Sequence, residues 1–195
     1  NKFANNKTRA SNYLALSSNA IKRHQFQKAF EYTREAAELT DRLFEPDLMQ
    51  FDADMELGKF DAAQMVLNKN KSMQSFDYLV RLSKFQDHQG DLDSAIHLME
   101  AAYQMVQYSN SPTALWAQAN LADMYGHAGE LEESYKNYLQ VLIKEPDYRY
   151  ALQGIAWIAY SNDKKVNEAK EIYMQLKSQT ALPDLYLNLS ELSEY

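Results

Sequence analysis

Five short stretches of this chain share one spacing: "HQFQKAFEY", "GKFDAAQMV", "GDLDSAIHL", "GELEESYKN" and "KKVNEAKEI". Each has a glycine or polar turn residue, an apolar residue two places on, and a small residue three places beyond that. The apolar positions are Phe26, Phe60, Leu92, Leu131 and Val166; the small ones are Ala29, Ala63, Ala95, Ser134 and Ala169. Successive small residues lie 34, 32, 39 and 35 apart. Recurrence at such a period is a strong constraint. One unit is too short to bury its own apolar face, so neighbouring units must stack.

The spacing inside each unit specifies two antiparallel helices joined by a tight turn. Gly58, Gly90 and Gly129 supply positive φ where a first helix ends. Acidic residues then open the second helix at its positive dipole end: Asp61, Asp91 or Asp93, and Glu130 or Glu132. The small residue lets the helices approach closely, and apolar residues three and four apart fill the seam. In the fourth unit that seam is expected to be Leu121, Tyr125, Leu131, Tyr138, Leu139 and Leu142, with Pro146 starting the next unit. Helices are predicted at 11–22 with 26–40, 46–57 with 60–68, 76–89 with 92–108, 113–127 with 131–144, and 149–161 with 166–178. The texts "FEPD", "NKNKSMQ", "YSNSP", "KEPD" and "TALPD" are read as turns. The 39-residue interval is read as an extended helix running from Leu92 towards Tyr108. With only 5 glycines and 4 prolines, the chain favours long helices over a turn-rich β fold.

The residues at these positions resemble the tetratricopeptide repeat (TPR) family. The likeness is carried in residues 115–148 by Leu121, Ala122, Tyr125, Gly129, Ser134, Tyr138 and Pro146. Trp157, Tyr160, Ala169, Tyr173 and Pro183 carry it in the last unit, and Leu82, Gly90, Ala95, Met99 and Ala102 in the third. Ala29 and Ala36 support the first unit. The second has Gly58 and Ala63, with Gln50, Asp54 and Asn70 where apolar or small residues are expected. The resemblance implies an all-α, right-handed solenoid in a single domain of about five units: 10–43, 44–75, 76–112, 113–148 and 149–183. Residues 184–195, with Leu185, Leu189 and Leu192 on one stripe, would be a cap or the start of a further unit.

The resemblance also implies a concave groove lined by the first helix of each pair. That places Met49, Arg81, Lys84, His88, Trp116, Asn120, Asp123 and His127 in the groove, with Asp52, Met55 and Asp77 near it. Arg81 and Lys84, three apart, would jointly hold a carboxylate unless both are solvated surface cations. Trp116 would anchor a peptide, packing between units being the alternative. Met49 and Met55 would form an adaptable apolar floor or fill core gaps. Chaperone-binding TPR domains carry Lys and Asn at set first-helix positions. Here those positions read Leu14, Ser18, Met49, Asp77 and Arg81, and only Arg81 has that character. His88 and His127, at equivalent positions with Asp87 and Asp123 nearby, lack a close metal-ligand spacing such as HExxH and are read as surface histidines. No metal and no cofactor is expected. The sequence has no GxSxG and no Gly-rich phosphate loop, and an enzyme is not expected.

The formal charge of −7 disfavours a nucleic-acid partner. Its distribution is uneven: +3 in residues 1–45, −9 in 46–148 and −1 in 149–195. The basic stretch "IKRHQFQK" has too few cations to hold a membrane alone. No run approaches the roughly 18 apolar residues of a membrane span. With no cysteine there is neither disulfide nor thiolate chemistry. The missing cysteines, together with a start that is not Met and reads as trimmed, favour an extracytoplasmic bacterial protein over a cytoplasmic one. The function expected is a scaffold binding a peptide or partner protein in the groove. Its rivals are a small-ligand sensory domain of a longer protein and a spacer that self-associates through its terminal helices.

Overall fold

The computed structural model of the chain describes residues 2–39, 44–109, 111–161, 165–179, 189–190 and 192. Among them are ten helices: α1 (Lys2–Lys22), α2 (Phe26–Leu39), α3 (Phe44–Glu56), α4 (Phe60–Lys69), α5 (Phe76–Gln89), α6 (Leu92–Val106), α7 (Pro112–His127), α8 (Leu131–Lys144), α9 (Arg149–Ser161) and α10 (Val166–Gln179). They form two compact units, Asn1–Phe85 and Gln86–Tyr195, with the boundary inside α5.

Four turns close with one hydrogen-bond pattern. The amide after the turn residue donates to the carbonyl five places back: Gln25 to Ala20 (2.8 Å), Lys59 to Asp54 (2.8 Å), Asp91 to Gln86 (3.0 Å) and Glu130 to Tyr125 (2.8 Å). This is the glycine closure of a helix C-terminus, which needs a left-handed residue. Gly58, Gly90 and Gly129 supply it at φ of 68°, 82° and 78°, and His24 takes the same place at 55°. Five residues beyond each of these lies the small residue, and in all five repeats its exposure is 0%. A larger side chain there would hold the paired helices apart.

Three boundaries depart from the sequence reading. The first helix begins at Lys2, not at residue 11. Helix α3 begins at Phe44, so "FEPD" is its first turn. Proline is tolerated there because the first amides of a helix have no partner to lose, and Glu45 and Asp47 complement the positive end. Helix α6 stops at Val106, and the 39-residue interval is long mainly because of α7, whose 16 residues exceed the 13 or 14 of α3, α5 and α9. Ser111 caps α7 by accepting the Ala114 amide, with Pro112 in the first turn. The "TALPD" text, Pro183 and most of residues 184–195 lie outside the described residues. Leu189 and Leu192 pack with the core of α9 and α10.

In the first unit α1 packs on α2, α2 on α3 and α3 on α4. Ala29, Ala36, Phe51 and Ala63 form its best-buried core, and the Phe51 and Phe85 rings lie 6.4 Å apart. The buried Ser17 hydroxyl contacts the Ala29 carbonyl (3.1 Å) and Thr33 Oγ1 (2.9 Å), so neither hydroxyl is orphaned. The polar residues of the second repeat are satisfied in the same manner. Gln50 donates to Asp54 (2.9 Å), while Asn70 donates to Asp47 and to the Val66 carbonyl, each at 2.9 Å.

In the second unit α6 packs on α7, α7 on α8, α8 on α9 and α9 on α10. Ala119, Ala122, Tyr138, Val141, Ala151, Ile155 and Ile158 form one core and Ala156, Ala159, Ala169, Tyr173 and Leu176 the next. Leu139, expected in the seam, is instead 37% exposed. The buried face of α8 runs through Ser134, Tyr138 and Val141, and Leu139 is turned about 100° from Tyr138.

Candidate functional site

In the first unit, Arg81 is held by its own chain. Its Nε donates to Asp52 Oδ1 (2.9 Å), Nη2 to Asp52 Oδ2 (2.6 Å) and Nη1 to the Asp77 carbonyl (3.1 Å). This bidentate pair joins α3 to α5, and the Arg81 side chain is only 12% exposed. The sequence reading has Arg81 and Lys84 jointly gripping an incoming carboxylate; in the structure the Arg81 fork already grips Asp52. Lys84 lies exposed one turn along and Met49 is half-buried.

In the second unit, α7 carries Trp116, Asn120, Asp123 and His127 on one stripe, at steps of four, three and four residues. The Asn120 amide donates to the Trp116 carbonyl (2.8 Å), one turn back. His127 Nδ1 lies 3.1 Å from Asp87 Oδ1. His88, beside Asp87, is exposed. The carboxylate of Asp123 accepts the Tyr138 hydroxyl.

Asp123, Gly126 and His127 form one wall of a cleft of about 280 Å³. Ser134 and Tyr138 of α8 and Tyr173 of α10 also line it. The opposite wall is α9, through Tyr150, Gln153, Gly154 and Trp157. Two glycines allow the walls this close. A β-carbon on Gly154 would collide with the Tyr138 ring, and one on Gly126 would meet Ser134 Oγ at 3.3 Å and Trp157 Cζ3 at 3.4 Å. Trp157 and Tyr150 stay 43% and 53% exposed at the mouth.

Electrostatically the cleft is anionic. Burial first, then the charge and hydrogen bond of Asp123, push the Tyr138 phenol far above its usual range. Tyr138 therefore remains a neutral donor that orients the Asp123 carboxylate. On α7 the Tyr125 hydroxyl donates to Glu100 (2.6 Å) and its phenol is likewise raised, by burial and then by Glu100. Among the described residues no three His, Cys, Asp or Glu converge as a metal site. Among them, too, no helix is long and apolar enough to cross a membrane.

No family model matches the sequence, and none of the curated proteins is similar to it in sequence. Solved structures do match in shape. The chain is similar to TTC0263, a TPR protein of Thermus thermophilus, with a TM-score of 0.76 at 16% identity, covering 95% of this chain and 100% of that one. It is similar to PilF of Pseudomonas aeruginosa, with a TM-score of 0.73 at 13% identity, covering 97% of this chain and 85% of that one. A chain of the anaphase-promoting complex hetero-tetramer Cut9–Hcn1 gives 0.74 at 17% identity, over 92% of this chain and 35% of that one. The chain has a tetratricopeptide-repeat fold.

Within this TPR fold the expected first-helix residues separate into groups. Asp123 and His127 reach the cleft, and Trp116 and Asn120 continue their stripe along α7. Arg81 is committed to Asp52. Tyr150 and Gln153 are not among the residues expected from the sequence, and Trp157 is expected there only as a repeat-matching residue. The available signal is the i, i+3, i+7 spacing of 150, 153 and 157, which puts two aromatics and an amide on one face of a first helix.

Proposed function

We propose that this chain is a protein-interaction scaffold whose first-helix side chains receive a peptide or partner segment. The observation that carries the reading is the exposure of Trp157 and Tyr150 at the mouth of the α7–α9 cleft. Large aromatics left partly bare beside a preformed concavity are the side chains that dominate binding energy at protein interfaces. The likeness in shape to part of a chain of the Cut9–Hcn1 hetero-tetramer, a protein assembly, supports the same reading. Trp116 and Asn120 extend the contact along α7, while Met49, Lys84 and His88 are the remaining groove candidates. Arg81 supports the scaffold from within instead of meeting the partner.

The test is capture from an extract of the source organism. Wild-type chain is run beside the Trp116→Ala/Trp157→Ala double variant, with circular dichroism confirming equal helicity. A protein retained by the wild type and lost by the variant supports the reading. Equal retention by both moves the contact away from α7 and α9 and overturns it.

A further inference from the structure

The chemistry of the cleft narrows what such a partner must carry, and this step rests on the interaction reading of the same site. The cleft, of about 280 Å³, has room for one long side chain. Its lining holds a carboxylate, Asp123, and neither Lys nor Arg. His127 faces Asp87. Residues 86–195 hold seven Lys and Arg against sixteen Asp and Glu, a net of −9, so the cleft opens on an acidic unit.

The aromatics at its mouth suit a cation, because the faces of Trp and Tyr attract positive charge. Tyr150 already displays this. The Arg149 guanidinium lies 4.8 Å from its ring centroid, stacked on the ring from within the chain. Trp157 and Asp123 both line the cleft, so a cation entering it would meet an aromatic ring and a carboxylate that Tyr138 orients.

We infer that the cleft between α7 and α9 is a subsite for an arginine or lysine side chain, presented by an extended segment of a partner protein. Trp157 covers the aliphatic stem and the charged head, Asp123 neutralises the head, and Gln153 offers an amide at the rim. The partner segment is basic, and the −9 charge of the second unit speeds its arrival.

The test uses the ¹⁵N-labelled full chain and four capped peptides, acetyl-Gly-Ser-X-Ser-Gly-amide, with X arginine, lysine, norleucine or glutamate. The Trp157 indole resonance is assigned by its loss in Trp157→Phe. The arginine and lysine peptides are expected to shift it and to bind about tenfold tighter than norleucine, with glutamate weakest. Asp123→Asn, which keeps an acceptor for Tyr138, is expected to remove most of that preference. Norleucine binding as tightly as arginine, or a preference that survives Asp123→Asn, overturns the cationic subsite while leaving the interaction surface standing. Silence from all four peptides at millimolar concentration also overturns it. If extract capture then still depended on Trp157, the scaffold reading would hold with a different side chain in the cleft.

Discussion

The ring of Tyr138 occupies the space that a β-carbon on Gly154 would need, so α8 and α9 meet through an aromatic seated directly on a glycine. In an exposed helix interior, Gly→Ala stabilises by roughly 0.5–1 kcal/mol. Here the sign reverses, since the Tyr138 residue is only 2% exposed and its ring can move only by giving up the hydrogen bond to Asp123. Gly154→Ala is expected to cost about 1–3 kcal/mol from overpacking, read from the midpoint of urea unfolding. In a Tyr138→Ala background the same substitution should cost nothing or stabilise. Equal penalties in both backgrounds would refute the contact.

The turn glycines offer a cleaner test of backbone strain. Gly90 and Gly129 have positive φ, and a β-carbon on either would meet nothing within 4 Å. Any cost of Gly90→Ala or Gly129→Ala is therefore conformational, and about 1–2 kcal/mol is expected. Asparagine tolerates the left-handed region better, so Gly90→Asn should lose less than Gly90→Ala. Thermal unfolding of the three variants decides it, and an alanine as stable as wild type would count against the turn geometry. His24 already sustains this conformation at φ 55°, with its ring edge-on to Phe26 at 5.8 Å.

Arg81 and Asp52 predict a coupling. Arg81→Ala removes a bidentate partner from a carboxylate that is 32% exposed, so the loss is smaller than for a fully buried pair. About 1–3 kcal/mol is expected, from the charge-assisted hydrogen bonds. Arg81→Lys should recover only part of it, because an ammonium cannot reproduce the fork. A double-mutant cycle with Asp52→Ala measures the pair directly. Additive penalties would mean that the two side chains act independently.

What the sequence reveals here, and what it conceals, follows from how far apart the interacting residues lie. The turn residues and the small positions Ala29, Ala63, Ala95, Ser134 and Ala169 were legible because each obeys a constraint set within one hairpin. The start of α1 was not, since "NKFANNK" repeats a weak helix former and offers no apolar stripe. "FEPD" misled because the residue before a proline is biased away from helix, yet a proline in the first turn escapes that cost. Arg81 looked available because its partner Asp52 stands 29 residues earlier, beyond any i, i+3 or i, i+4 inspection. Half of the cleft was hidden for a similar reason. Trp157 is at once a repeat-matching residue and 43% exposed, and only the approach of α7 and α9 through Gly126 and Gly154 makes it part of a wall.

Tyr138 also sets how stability responds to alkali. Its folded-state pKa is raised above the ordinary value of about 10, chiefly by burial and then by Asp123. A raised phenol holds its proton in the folded chain after the unfolded chain has released it. Its stabilising contribution is therefore complete below about pH 10 and declines as pH rises beyond that. In that range each such tyrosine should steepen the loss by up to about 1.4 kcal/mol per pH unit. Tyr138→Phe removes the titrating proton, so the variant should unfold with a shallower dependence on pH between about 10 and 11.5, whatever its stability at neutral pH. Urea midpoints taken across that interval supply the comparison. Parallel slopes for wild type and variant would mean that Tyr138 ionises as it does in the unfolded chain, and that its hydroxyl is not held by the Asp123 carboxylate.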